Sequence, residues 1–319
     1  MCLYFEGQLI KEGSFMFRGL SAFPLTPVNE TGINEKAFVT LIQRLVAAGV
    51  DLIGALGSTG NYAYLNREER LRVLRLAVHS SEGIPVMTSI SAIRTSEVLR
   101  LAEDAQRAGA SAVLLAPVSY QTLTNEEVFL LYEQVTSSLS IPLCVYDNPS
   151  TSHFHFSDEL HSRIAELSNV RSIKIPGVPS DPEAAKAHIR KLRTAIPPHV
   201  TIGVSGDSSA VTGLDAGCEV WYSVLGGLFP RACQKMTRLA QSGFAEEAKQ
   251  LSAQLEPIWT LFHQYGSLRV VSAAAEISGL ISSPSLPLPL QPLNQSAREH
   301  LKFILKDLQS TETFCSPFG

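Results

Sequence analysis

Lys174 is the residue that most needs a chemical explanation in this 319-residue chain. It sits in VRSIKIPG (170–177), a run that Val170, Ile173 and Ile175 mark as a buried strand. A lysine is almost never fully buried unless something there uses or pairs its charge. Other reactive side chains fall where comparable apolar runs end. GSTGN (57–61) supplies Ser58 and Thr59 between Gly57 and Gly60, followed by Asn61. Ser119 and Tyr120 follow a fourth run, YDNPS (146–150) contains Tyr146, and SGD (205–207) begins with Ser205. Tyr222 and Ser223 lie in the last such run. The set holds an amine, phenols, hydroxyls and glycine-rich turns, but no carboxylate pair and no metal-ligand spacing.

Such an inventory suits covalent amine catalysis on a small carbonyl acid. An amine among apolar neighbours loses solvation of its charged form, which favours the free base that attacks a ketone. Glycine-turn N–H groups and hydroxyls can hold a carboxylate, and a nearby tyrosine can relay protons. Each residue also has a plainer reading: a solvated lysine, an ordinary GSTG turn, a core tyrosine at 146, a loop-packing tyrosine at 120. Asp207 reads equally well as a helix cap. HFHF (153–156) tempts a metal reading but is read as a loop with no third ligand in view.

Positioning these groups together falls to eight β-rich runs: 17–23, 51–56, 84–90, 111–117, 141–147, 170–177, 200–206 and 219–226. Most are wholly apolar, as parallel strands covered on both faces are. Helix signals lie between them. Asn66 with Glu69 and Thr124 with Glu127 form capping boxes, Asp181-Pro182 opens a helix, and Gly49 and Gly109 close two others. The strand-end landmarks recur roughly every 30 residues, the length of a βα repeat. Eight repeats predict an α/β fold, a (β/α)8 TIM barrel whose reactive groups share the C-terminal mouth. An open doubly wound sheet would carry GxGxxG after its first strand, and FPLTPVNETG does not.

After residue 227 the pattern turns helical, with a proline-broken connection at 282–294. The expected organisation is an N-terminal arm (1–16), a barrel (17–241) and a C-terminal helical extension (242–319). Charge is balanced at −4 with no basic stripe, which argues against a nucleic-acid partner. No apolar run is long enough for a bilayer, and the N-terminus lacks a secretory pattern. Five scattered cysteines without a CxxC pair fit a reducing cytoplasm.

GSTGN, YDNPS, the strand-borne IK and SGD occur in an order and spacing similar to the dihydrodipicolinate synthase/N-acetylneuraminate lyase family. The resemblance covers roughly residues 17–310. It implies a barrel with a helical C-terminal extension, a homotetramer built as a dimer of dimers, and no cofactor. Its substrates would be pyruvate or another 2-oxo acid held as a Schiff base, and an aldehyde. By matching motif, Lys174 would be the Schiff-base lysine and Tyr146 the proton-relaying tyrosine. Thr59 would bind the carboxylate within the Gly57–Gly60 turn, and Ser58 would link the relay. Tyr120 would reach into a neighbouring subunit's site. Tyr222 and Ser205 would lie beside bound pyruvate.

The segment after the lysine, IPGVPSDPEA, departs from the family pattern, and so do two single positions. Asn61 stands where the family has glutamate, and Thr151 where the synthase has the arginine that clamps its second substrate. Losing that guanidinium removes a bidentate carboxylate clamp. The resemblance therefore implies a conserved pyruvate half and an individual second half, and with it a carbon–carbon or carbon–oxygen lyase. A 2-keto-3-deoxy acid dehydratase and a non-catalytic 2-oxo acid sensor are the alternatives.

Overall fold

The computed structural model describes residues 16–309, together with Leu3–Phe5 and Gln8–Ile10, which pair antiparallel. The expected N-terminal arm and residues 310–319 of the extension otherwise lie outside the described residues. Eight parallel strands form where the apolar runs predict them: β1 (Gly19–Ala22), β2 (Leu52–Ala55), β3 (Val86–Ser89), β4 (Ala112–Leu115), β5 (Leu143–Tyr146), β6 (Val170–Ile175), β7 (Thr201–Val204) and β8 (Val220–Ser223). Each pairs with its successor, and β8 pairs with β1 to close the barrel. Only Arg171 among the strand residues is less than fully buried, as helices covering the outer face require.

The barrel interior is packed. Phe17, Leu52, Met87, Leu114, Cys144 and Tyr222 belong to one buried cluster inside it, separate from the larger cluster between strands and helices. Tyr222 fits because β7 carries Gly203 opposite it: a Cβ there would stand 2.2 Å from the tyrosine Cε2. Below that ring, Tyr222 Oη is 2.6 Å from Ser172 Oγ, and the Cys144 thiol donates to Tyr222 Oη at 3.3 Å. A phenol confined there has its polar atom satisfied, as burial demands.

The helix signals are realised. Both capping boxes close reciprocally, Asp181 caps Pro182–Ala195, and Gly49 ends Glu35–Ala48 in the left-handed conformation with φ 65°. Beyond β8 run Pro230–Gln241, Ala245–Ala253, Glu256–Tyr265, Ser267–Ile277 and Gln295–Gln309. The stretch 244–264 reads as one helix in sequence but is two. Pro257 lacks the N–H that would continue the hydrogen-bond ladder, so the first helix stops and a second begins at Glu256. That break lets Glu256–Tyr265 and Ser267–Ile277 present residues to the barrel mouth. No helix among the described residues is long and apolar enough to cross a membrane.

Candidate active site

At the C-terminal ends of the strands lies a cavity of about 750 Å³. Lys174 enters it from β6, in register with Tyr146 on β5 and Gly203 on β7. Register partners on neighbouring strands point their side chains to the same face, so the amine and the phenol stand side by side by construction. Lys174 is only 5% exposed. Its Nζ meets ring faces: Phe23 at 4.0 Å, Tyr146 at 4.3 Å and Tyr222 at 5.6 Å from the centroids. Ring quadrupoles attract a cation within about 6 Å, which makes burial of the ammonium tolerable.

Glycines clear the space for these rings. A Cβ at Gly54 would lie 2.5 Å from Phe23, and one at Gly57 would lie 2.4 Å from it. Gly57 therefore serves the site by admitting Phe23 rather than by lining the cavity. Gly60 has a similar duty, since a Cβ there would meet the Leu56 backbone at 2.8 Å.

Three polar side chains, Ser58, Asn148 and Thr151, act on the Tyr146 hydroxyl. Ser58 Oγ lies 3.2 Å away, and Asn148 Nδ2 donates to the phenol oxygen at 2.8 Å. Burial pushes this phenol up. The charge of Lys174 and the polar groups of Ser58, Asn148 and Thr151 outweigh burial and leave it below the ordinary phenol range. Tyr222, equally buried, is pushed well above that range by desolvation, with Cys144 adding to it. Of the two phenols facing Lys174, Tyr146 is thus the one disposed to part with a proton.

Asp207 does not cap a helix. Its carboxylate accepts from Trp221 Nε1 at 2.8 Å and from the Leu225 N–H at 2.9 Å, fixing the end of β8. Burial pushes its pKa above the usual carboxylate value, making it a weaker acid. Ser205 donates its hydroxyl to the Ile175 carbonyl at 2.7 Å, tying β7 to the segment after Lys174. In HFHF, Phe154 and Phe156 pack edge to face and Phe156 stacks on His161; no cluster of three or more His, Cys, Asp or Glu occurs among the described residues.

Lys174, Tyr146, Ser58, Thr59, Thr151, Ser205 and Tyr222 are brought to one cavity. Four other expected residues are not. Asn61 takes a left-handed turn at φ 59° and donates to the Thr26 carbonyl at 3.0 Å, so its side chain faces away from the cavity. Gly57 and Gly60 shape the turn behind it, and Tyr120 is 90% exposed on the surface. The sequence reading missed Phe23, Asn148, Tyr62 and the wall formed by Trp259, Phe262, His263 and Ser267. Tyr62, raised to about 12 chiefly by burial, lies under the guanidinium of Arg70 at 5.3 Å.

The profile of the dihydrodipicolinate synthetase family matches residues 16–308. A 4-hydroxy-tetrahydrodipicolinate synthase from Cellvibrio japonicus is 30% identical over 289 residues, covering 90% of this chain and 97% of that protein. The crystal structure of a dihydrodipicolinate synthase from Agrobacterium tumefaciens superimposes with a TM-score of 0.89 at 44% identity, covering 92% of this chain and 99% of its own. The structure of the 4-hydroxy-tetrahydrodipicolinate synthase from Methylacidiphilum fumariolicum gives a TM-score of 0.84 at 26% identity, covering 94% of this chain and 98% of its own.

Proposed function

Given that the chain belongs to the dihydrodipicolinate synthetase family, and so to lyases of the class I aldolase type, we propose that it binds pyruvate or a related 2-oxo acid as a Schiff base on Lys174. The observation that carries this reading is the buried amine set against three rings beside an acidified phenol. The free amine adds to the keto carbon, forming the C–N bond as the C=O π bond breaks, and the proton the nitrogen gives up ends on the keto oxygen. Tyr146 then protonates the carbinolamine hydroxyl, water leaves, and an iminium remains. The Tyr146 oxygen next accepts a proton from the adjacent carbon, giving the enamine that adds to an aldehyde. The same steps run backwards in cleavage. Proton transfers of this kind contribute on the order of 10²–10⁴-fold. Thr59 and the turn around it suit the substrate carboxylate, with Ser58 linking the relay.

The second substrate in this reading is an uncharged aldehyde. Beyond Lys174 the cavity offers Ser150, Thr151, Ser208, His263 and Ser267 but no guanidinium. A second carboxylate would find no bidentate partner. Aspartate-semialdehyde is therefore disfavoured. Tyr120, 90% exposed in one chain, is the side chain that would complete a neighbour's site in a tetramer built from two dimers; Tyr120→Phe should then lower activity in the assembly.

Borohydride reduction with pyruvate, followed by peptide mass spectrometry, tests the chemistry. A reduced pyruvyl adduct on Lys174 is expected. A folded protein that forms no adduct with pyruvate or longer 2-oxo acids would refute it and leave the sensor reading. An aldehyde panel and product analysis then separate aldol chemistry from dehydration.

A further inference from the structure

Asn148 enters the site in a way that the Schiff-base reading does not require but that acts directly on its proton relay. The residue follows β5 by two positions, and its side chain folds back so that Nδ2 reaches the Tyr146 hydroxyl at 2.8 Å. Its other end is also committed: Ser150 Oγ donates to Asn148 Oδ1 at 2.6 Å. The residue's backbone is tied down as well, since its carbonyl accepts the N–H groups of Thr151 at 3.0 Å and Ser152 at 2.9 Å. Side chain and backbone together hold one amide orientation, with the NH2 turned to the phenol.

We propose that Asn148 is the positioning residue of the relay, setting the direction in which the Tyr146 proton travels. An amide N–H can only donate. The phenol oxygen that accepts it must aim its own proton away from Asn148, toward Ser58 or the reacting carbinolamine over Lys174. When that proton has been given up, the phenolate keeps a donor already in place. Hydrogen bonds to a charged acceptor are roughly twice as strong as neutral ones, so the amide favours the ionised form over the neutral one. Ser58, 3.2 Å away, can donate or accept and so fixes no direction alone.

The inference rests on the Schiff-base reading, and its test begins there. Wild-type protein is trapped with pyruvate and borohydride, and the rate of adduct formation on Lys174 is followed against pH. Asn148→Ala, Asn148→Asp and Tyr146→Phe are then measured alongside, with near-ultraviolet circular dichroism to confirm the fold. Asn148→Ala should slow adduct formation roughly tenfold or more, the scale of one lost hydrogen bond to a charged group. The pH limb that Tyr146→Phe abolishes should move to higher pH, with the pyruvate KM nearly unchanged. Asn148→Asp should be worse than alanine, because a carboxylate cannot donate and its charge opposes the phenolate. An aspartate variant with the wild-type rate and pH profile would overturn the assignment, for the phenol would then be donating to residue 148. An alanine variant with an unshifted limb would overturn it too. Absence of any adduct in the wild type would overturn the Schiff-base reading, and this inference with it, whereas the preceding two results leave that reading intact.

Discussion

Lys174 and Arg70 are the two buried cationic side chains among the described residues, exposed by only 5% and 7%. Their surroundings are opposite. Arg70 is pinned: its guanidinium donates to the Ser89 carbonyl at 2.7 Å and the Ser91 carbonyl at 3.0 Å, at the end of β3. Burial still pushes it down to about 10. Lys174 is surrounded by ring faces that hold its charge without taking its hydrogens in directed bonds. A cation fixed to carbonyls shapes a backbone; a cation set against ring faces has its nitrogen turned to the cavity instead. The contrast separates what supports the mouth of the barrel from what would react there.

The largest effect expected from that contrast is at Lys174. Lys174→Met should abolish turnover and adduct formation while leaving the fold at least as stable. Replacing buried charge by an apolar side chain of similar volume is often neutral or stabilising, here by roughly 1 kcal/mol. A melting temperature below that of the wild type would show the lysine to be a structural element like Arg70. Next comes Tyr146→Phe, expected to slow catalysis by about 10²–10⁴-fold with little change in melting. Because Tyr146 is held below the ordinary phenol range, the alkaline limb of the wild-type profile should fall at lower pH than a free phenol would give. The phenylalanine variant should lack that limb.

Arg70→Met tests the other side. It strands the Ser89 and Ser91 carbonyls, a cost of about 1–3 kcal/mol for each buried group left without a partner, and removes the cation over Tyr62. Melting should fall measurably, with turnover per folded molecule within a few-fold of wild type. A loss of turnover as deep as that of Tyr146→Phe, with normal melting, would place Arg70 in the chemistry and dissolve the contrast.

Lys174, Tyr146 and Ser58 were legible in the sequence for a geometric reason. Parallel βα repeats place every strand end at one mouth, so periodicity alone gathers their terminal residues. Asn61 was misread because adjacency to GSTG says nothing of a left-handed turn that sends the side chain to Thr26. Asn148 was overlooked because folding back onto a residue two positions earlier follows no strand or helix period. The complementarity of Gly54 and Gly57 with Phe23, and of Gly203 with Tyr222, exists only between strands. The wall of Trp259, Phe262 and His263 follows no barrel repeat. Its approach depends on the helix break at Pro257, which sequence periodicity smooths over. The strand-borne part of the cavity thus lies in the repeat, and the wall built by the C-terminal helices lies outside it.

Asp207 refines the comparison with the smallest expected effect, since it is a buried charge that lines the same cavity as Lys174 yet is bound like Arg70. Its two oxygens accept one N–H each, from Trp221 and Leu225. Asp207→Asn offers one oxygen and sets an NH2 against the other donor, which should cost about 1–3 kcal/mol without moving the pH profile of adduct formation. The sign of its own pH dependence follows from burial, which raises its folded-state value above the unfolded one. Its contribution to stability is therefore fully present below the unfolded carboxylate value of about 4 and is lost as pH rises through the higher folded one. The stability gap between wild type and Asp207→Asn should accordingly widen as the solution is made more acidic, read as the difference between two denaturation series. A gap that narrows in acid would mean that the ionised carboxylate is favoured in the fold. Asp207 would then be stabilised by the field of Lys174, and the two would have to be treated as one charged unit.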